Sequence, residues 1–348
     1  MASSKEDETA MLDALFGPIS LGESVERKDN ETENKEAPTK LLCSACEKES
    51  DAHKKCRNCK CVWYCDKDCQ NKHWKEHRKE CKRIKKVLDE RGGKLDLGTE
   101  KDIGPLGKVP PREECPICMR VLPIHAMLQA YAACCGKILC SACEHQHQMK
   151  SGKQITCAFC RTAVPRSEEE ELARMRKRAE LMDPDALVNV AMCYGRGGHG
   201  LPLDQSKCIE LHRKAAGLGY PDAQYNLGTF YFNGEMGLEQ NKEEALKYWE
   251  KAAEGGYLDA RHNLGCEENE NGNHVPVMRH WRLAASGGYR KSMDFLIEDF
   301  EDGLLHHGDL SETLQVFYRS RGEMRSEGRD KYIKFLKMAG EYKEEYDL

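Results

Sequence analysis

The sequence predicts a multidomain chain in which two small cysteine-rich modules precede an all-α superhelical repeat solenoid. Three observations lead there. Sixteen of the 19 cysteines fall between residues 43 and 160, in closely spaced pairs. From residue 185 onward a motif recurs at an interval of 37 residues, a period typical of stacked helix pairs. The hydrophobic share is 39% against 32% charged, too little for one large core across 348 residues. Small units held by something besides burial are therefore expected.

Residues 1–39 are read as an acidic, disordered tail, with ten acids against five bases in residues 1–40. Within the tail, Met11, Leu12, Leu15 and Phe16 are spaced for one face of a short docking helix. The remaining chain is close to neutral, so nucleic acid is not an expected partner. Residues 5–8 are charged and the apolar run 10–16 is short and broken by Asp13, which does not make a secretory signal. No window reaches the length of a membrane span, and no membrane partner is expected. Disulfides need an oxidising compartment, so the paired thiols read as metal ligands in a cytoplasmic or nuclear protein.

The first module is expected over residues 40–90. Cys43-x2-Cys46, Cys56-x2-Cys59, Cys65-x3-Cys69 and His77-x3-Cys81 supply eight ligands in four pairs. Zinc takes four tetrahedral N or S ligands, and a CxxC turn presents two thiolates to one ion at low strain. The spacing allows either two sequential sites or an interleaved pair. Together with Tyr64, Gln70 and Trp74, these residues resemble a MYND-type zinc finger over about 40 residues. The resemblance implies cross-bracing, with Cys43, Cys46, Cys65 and Cys69 on one zinc ion and Cys56, Cys59, His77 and Cys81 on the other. It also implies binding of short, often proline-containing peptides. Cys61 is left as the odd thiol, and His73 is expected to be exposed. Residues 41–94 carry sixteen Lys or Arg against nine Asp or Glu, a surplus that seven thiolates and two zinc ions reduce to +4. That is a modest patch on a small module. The run Lys82-Arg83-Ile84-Lys85-Lys86 reads as a solvated helix end, with a nuclear signal as the alternative. MYND fingers elsewhere accompany SET methyltransferase domains, but an Asn-His-x-Cys cofactor segment is not found, which disfavours that enzyme class.

A glycine- and proline-rich linker is expected over 91–112, followed by a second module over 113–164. Its pairs are Cys115-x2-Cys118, Cys134-Cys135, Cys140-x2-Cys143 and Cys157-x2-Cys160. The openings Cys115-Pro116-Ile117-Cys118 and residues 135–143 resemble an all-cysteine RING finger. That resemblance implies one zinc ion on Cys115, Cys118, Cys140 and Cys143 and another on Cys134, Cys135, Cys157 and Cys160, four ions in the whole chain. Adjacent ligands are geometrically awkward, and His145 or His147 is the alternative donor. RING ubiquitin ligases carry no catalytic residue; they hold a ubiquitin-conjugating enzyme and position its thioester. Ile117 matches the apolar contact to that enzyme and Arg161 the linchpin cation, whereas Ala158 stands where proline is usual.

A connecting helix is expected over 165–182, with Ser167 and Glu170 as a capping box, and Asp183-Pro184 opens the repeats of 183–300. Asp185-Ala186, Asp222-Ala223 and Asp259-Ala260 recur, as do Gly219-Tyr220, Gly256-Tyr257 and Gly288-Tyr289. The last interval shortens to 32, placing a five-residue deletion near residues 267–273. Leu227-Gly228, Ala245, Trp249 and Ala252-Ala253 resemble Sel-1-like repeats, relatives of tetratricopeptide repeats. Trp249 and Trp281 read as core, and Cys193, Cys208 and Cys266 as packed helix residues. Residues 301–348 are expected to be helical, with a degenerate repeat and a cap. The whole reads as an adaptor whose repeats and MYND finger choose protein partners while the RING recruits a ubiquitin-conjugating enzyme. The alternatives are a zinc scaffold without enzymatic role and a transcriptional cofactor.

Overall fold

The computed structural model describes residues 42–50, 52–93, 106–107, 112–151 and 155–342. The acidic tail with its Met11–Phe16 face, and most of the 91–112 linker, lie outside the described residues. Residues 40–348 form one compact unit.

The first module is a two-stranded antiparallel ribbon, β1 (Lys54–Lys55) and β2 (Trp63–Tyr64), followed by the long helix α1 (Lys67–Glu90). Asp66 caps α1 by accepting the Cys69 amide at 2.8 Å, so the helix starts where the ligands require it. The second module pairs β3 (Gln129–Ala132) with β4 (Lys137–Cys140), Gln129 opposite Cys140, and continues directly into α2 (Ser141–Lys150). Then come α3 (Glu168–Glu180), α4 (Pro184–Arg196), α5 (Gln205–Gly217), α6 (Pro221–Asn233), α7 (Lys242–Glu254), α8 (Leu258–Glu270) and α9 (His274–Ser286). The chain ends in α10 (Arg290–Glu301), α11 (His307–Met324) and α12 (Glu327–Ala339). No described helix is long and apolar enough to cross a membrane.

Helices α4 to α9 form the three expected antiparallel pairs. Asp183, Asp204 and Asn241 accept amides at helix starts, and Pro184 and Pro221 occupy first-turn positions where no amide is missed. The connectors 197–204 and 234–241 shrink to 271–273 in the third pair, which accounts for the shortened interval. Gly228 and Gly265 lie flat beneath Trp249 and Trp281; a Cβ on either would overlap the indole ring. That contact explains the recurring Leu-Gly and Trp. The two recurring dipeptides meet as a ladder. Tyr220 donates to Asp185, Tyr257 to Asp222 at 3.3 Å, and Tyr289 to Asp259 at 2.7 Å, each joining one repeat to the one before.

The zinc modules are not self-contained. Thiols of the first module, with Val62, Tyr64, Ile84, Val87 and Leu88, share one continuous core with Met278, Trp281, Met293, Phe300, Leu310, Phe317 and Tyr318. The second module is bracketed. Tyr131 packs with α3 and the first repeat and donates to Asp183 at 2.9 Å, while Tyr332 of α12 covers the cluster around Cys115, Leu122 and Cys140. Besides any metal, each module is thus also held by burial against the helices. The C-terminal helices supply the apolar surface that the modules lack.

Candidate metal centres

Four ligand groups assemble. Cys43, Cys46, Cys65 and Cys69 converge, as do Cys56, Cys59, His77 and Cys81, with all donor atoms of each group within 4.8 Å of one another. Within the same 4.8 Å limit the second module groups Cys115, Cys118, Cys140 and Cys143, and separately Cys134, Cys135, Cys157 and Cys160. Both modules are therefore interleaved, the alternative that spacing alone left open.

One local turn is used four times. The amides of Glu47, Lys60, Met119 and Arg161 bond back to the carbonyls of Cys43, Cys56, Cys115 and Cys157 at 2.8–3.1 Å. All four of these residues following a CxxC sit in the left-handed region, at φ between 54° and 63°. The turn folds the intervening backbone away and aims both sulfurs at one point. The partner pairs lie at helix starts or on a helix face. Cys65 and Cys69 flank the first turn of α1, and Cys140 and Cys143 the first turn of α2. His77 and Cys81 are four residues apart on α1 and face the same side. The awkward pair Cys134-Cys135 lies in the β3–β4 turn. Gly136, at φ +66°, lets both sulfurs point inward, and any Cβ there would strike the Arg178 guanidinium.

The donor sets fit zinc. Bonds of 2.3 Å in a tetrahedron place sulfurs about 3.8 Å apart. The Sγ···Sγ separations are 3.5 Å for Cys46–Cys65, 3.7 Å for Cys56–Cys81, 3.9 Å for Cys118–Cys140 and 4.0 Å for Cys135–Cys157. A disulfide needs about 2.05 Å, and every described cysteine is free.

Neither histidine alternative joins the second module's groups. His147 bonds Thr156 at 3.0 Å and Ser151, while His145 packs against Tyr332 and Phe335. His73 is a correction: it is 4% exposed, stacked on His77 with ring centroids 5.6 Å apart, and its Nδ1 shares a hydrogen bond with the Tyr64 hydroxyl at 2.9 Å. Burial and the neighbouring His77 push its imidazole down to about 3, so it fills the core as a neutral ring. Cys61 stays outside the groups, its thiol near His307 at 3.2 Å. Cys193, Cys208 and Cys266 pack among the repeats; burial pushes the Cys208 thiol up to about 11, which suppresses its reactivity. In the basic run, Arg83 pairs with Glu301 at 2.7 Å and Ile84 is buried, so it is a docked helix face rather than a solvated end.

The residues that sequence reasoning missed lie around the ligands and come from the far end of the chain. His77 Nδ1 is 3.2 Å from the Tyr318 hydroxyl, which reaches Glu80 at 3.4 Å; Glu80 in turn pairs with Arg290 at 2.6 Å. A metal-bound histidine is oriented by such a partner on its other nitrogen. Arg329 of α12 donates to Cys118 Sγ at 3.5 Å and to the Val121 carbonyl at 2.6 Å. His307 and Ser311 bond the Cys59 and Cys61 carbonyls at 2.8 Å. No spacing rule could pair residues more than 200 positions apart.

Of the residues assigned to a conjugating enzyme, Ile117 is 40% exposed, with Met119 and Phe159 also exposed on the two knuckles. Arg161 is exposed, and its guanidinium lies 2.9 Å from His147 Nδ1.

Comparison with known proteins agrees with the geometry. The MYND finger profile matches residues 43–81, and the Sel1 repeat profile matches residues 184–220 and 221–257. The chain therefore carries a MYND finger and Sel1 repeats in an all-helical solenoid. A SET and MYND domain-containing protein of Dictyostelium discoideum is 46% identical over 48 residues, 12% of this chain and 9% of that protein. Histone-lysine N-methyltransferase ASHR1 of Arabidopsis thaliana is 43% identical over 49 residues, 14% of this chain and 10% of the enzyme. This chain thus spans about a tenth of the length of either relative. Among solved structures, a Sel1 repeat protein from Oxalobacter formigenes aligns at 27% identity and TM-score 0.35, over 37% of this chain and 98% of that one. A protective antigen of uropathogenic Escherichia coli strains aligns at 24% identity and TM-score 0.36, over 49% and 36%.

Proposed function

We propose that the chain is a zinc-dependent protein-interaction adaptor whose second module recruits a ubiquitin-conjugating enzyme, making it a RING-type ubiquitin-protein ligase of the cytoplasm or nucleus. Four zinc ions are assigned, one to each ligand group, and serve only to hold backbone in place. No position on any ion is left open for chemistry, because each group already offers four donors. No side chain is given a catalytic role. The transfer chemistry would belong to the conjugating enzyme, and this chain would contribute positioning.

The observation that carries the ligase reading is the apolar rim of Ile117, Met119 and Phe159, held open to solvent on a rigid module with Arg161 on the adjoining knuckle. The test is autoubiquitination by the full chain with a panel of conjugating enzymes. Ile117→Ala and Arg161→Ala are each expected to reduce product at least tenfold while intact-protein mass spectrometry still counts four zinc ions. Undiminished activity in both variants would refute these roles, and a count of two ions would remove the second metal-holding module.

A non-enzymatic scaffold is the second reading. Arg161 is already engaged by His147, and the loop position usually held by proline is the buried Ala158. It gains if no conjugating enzyme shifts the amide resonances around Ile117 in an NMR titration. The methyltransferase activity in one relative's name is not carried over to this chain, which shares only 49 residues with that enzyme.

A further inference from the structure

We propose that the cleft between α1, the 124–128 segment and the first helices of successive repeats binds an acidic, apolar-anchored peptide of a partner protein. The cleft has a volume of about 1010 Å³, beyond the usual size of a small-molecule pocket and suited to several residues of extended chain. Its charge is locally positive. The net charge of −5 resides in residues 1–40 and the rest of the chain is neutral, whereas the cleft is lined by nine Lys or Arg against four Asp or Glu.

The cations are arranged to meet a ligand. Lys72, Lys75 and Lys79 are solvent-exposed at three- and four-residue intervals on α1, so they form one row along the cleft wall. Lys291 of α10 adds a fourth exposed ammonium from another element. None of the four makes an ion pair among the described residues. By contrast Arg290 and Arg325, which line the same cleft, are already bound to Glu80 and Glu76. Two kinds of cation therefore coexist: Arg290 and Arg325, which brace the walls, and Lys72, Lys75, Lys79 and Lys291, with the exposed Arg78, which are left for a partner. Opposite them Ile124 offers a half-buried aliphatic side chain to the cleft, with Leu128 and Met324 buried behind it.

This mixture favours a peptide over a nucleic acid. A polyanionic backbone would run past Glu76, Glu80, Asp259 and Asp294, which also face the cleft. The aromatic rings offer no free platform for bases. Tyr225 is stacked on Tyr257 at 4.7 Å, and the Tyr257 and Tyr289 hydroxyls are tied to Asp222 and Asp259. A chain with carboxylates at intervals and an aliphatic side chain between them matches both walls.

The inference draws on the adaptor reading only for the existence of a protein partner, and the ubiquitination assay above stands or falls separately. The test is selection of a displayed random peptide library on the full zinc-loaded chain, followed by fluorescence polarisation with the selected peptides. Acid-rich sequences with a Leu, Ile or Phe between acids are expected, with affinity falling as salt is raised. Combined Lys72→Glu, Lys75→Glu and Lys79→Glu is expected to weaken binding on the order of tenfold or more, and Lys291→Glu to weaken it separately. Lys247→Glu, outside the cleft, is expected to leave binding unchanged. Zinc content and the helical circular dichroism signal check that each variant is folded. Absence of enrichment, selected peptides without acids, equal binding by the charge-reversed variants, or stronger competition by single-stranded DNA or RNA would each overturn the proposal.

Discussion

Buried polar side chains in this molecule include a closed hydrogen-bonded chain and an isolated carboxyl. The chain His77, Tyr318, Glu80 and Arg290 is closed: every member has a partner, and it ends on a cation that balances the buried carboxylate. Asp299 is open. Its Oδ2 is sealed from solvent without a hydrogen-bond partner, and burial, with Asp302 and Glu298 nearby, pushes its carboxyl up to about 7 from 3.8. Because the folded value is raised, the native state holds a proton that the unfolded chain has released between about pH 4 and pH 7. Stability attributable to this group is full at the acid end of that window and is lost as pH rises through it. Asp299→Asn keeps the shape and removes the titration. In thermal unfolding scanned from pH 5 to pH 8, the variant is expected to gain on the parent as pH rises to about 7 and then run parallel to it. A constant offset across the range would show that Asp299 is ionised in the fold throughout.

At the scale of elements, the repeats are joined by a contact whose two halves were each visible in the sequence and whose pairing was not. Asp-Ala and Gly-Tyr recur in step, and the period of both is legible in the sequence. It carries no information on which neighbour a side chain reaches, so the Tyr–Asp ladder emerged only from the packed structure. The same holds for Gly228 and Gly265: their recurrence was legible, and the indole rings over them gave the reason. Tyr257 is the middle rung. Its hydroxyl donates to Asp222, which is half-buried and retains Asn226 as its other donor at 2.8 Å. Tyr257→Phe withdraws one of two donors from a half-buried carboxyl, a loss of about 1 kcal/mol. Tyr231→Phe, whose hydroxyl bonds only the exposed Arg213 side chain, is expected to change stability by less than about 0.5 kcal/mol. Urea denaturation of the two variants makes the comparison. Equal effects would mean that the ladder contributes nothing beyond ring packing.

For the whole molecule, the paired Cys and His positions and the helical array could be read from spacing because both are local patterns repeated several times. The dependence of one on the other could not, since it rests on contacts between the first module and helices more than 200 residues later. That dependence makes removal of metal a global event with a defined boundary. The thiols of Cys43, Cys56, Cys59 and Cys81 belong to the same core as Phe300, Leu310, Phe317 and Tyr318, so releasing them exposes one side of α10 and α11. The core around Leu187, Ile209, Ala223 and Leu227 contains no ligand from either module, and neither does that around Trp249 and Leu264. Repeat stacks transmit stability mainly between nearest neighbours, so the disturbance should fade along the array. After stripping with a strong chelator, amide hydrogen exchange is expected to accelerate in residues 42–93, 112–164 and 290–339, while 205–254 keep most of their protection. Restored zinc should restore protection in the same segments. Loss confined to residues 42–164 would show that the C-terminal helices hold together without the modules. Loss extending evenly through α5 to α7 would instead show that the solenoid folds as one cooperative unit, with the metal sites as its far end.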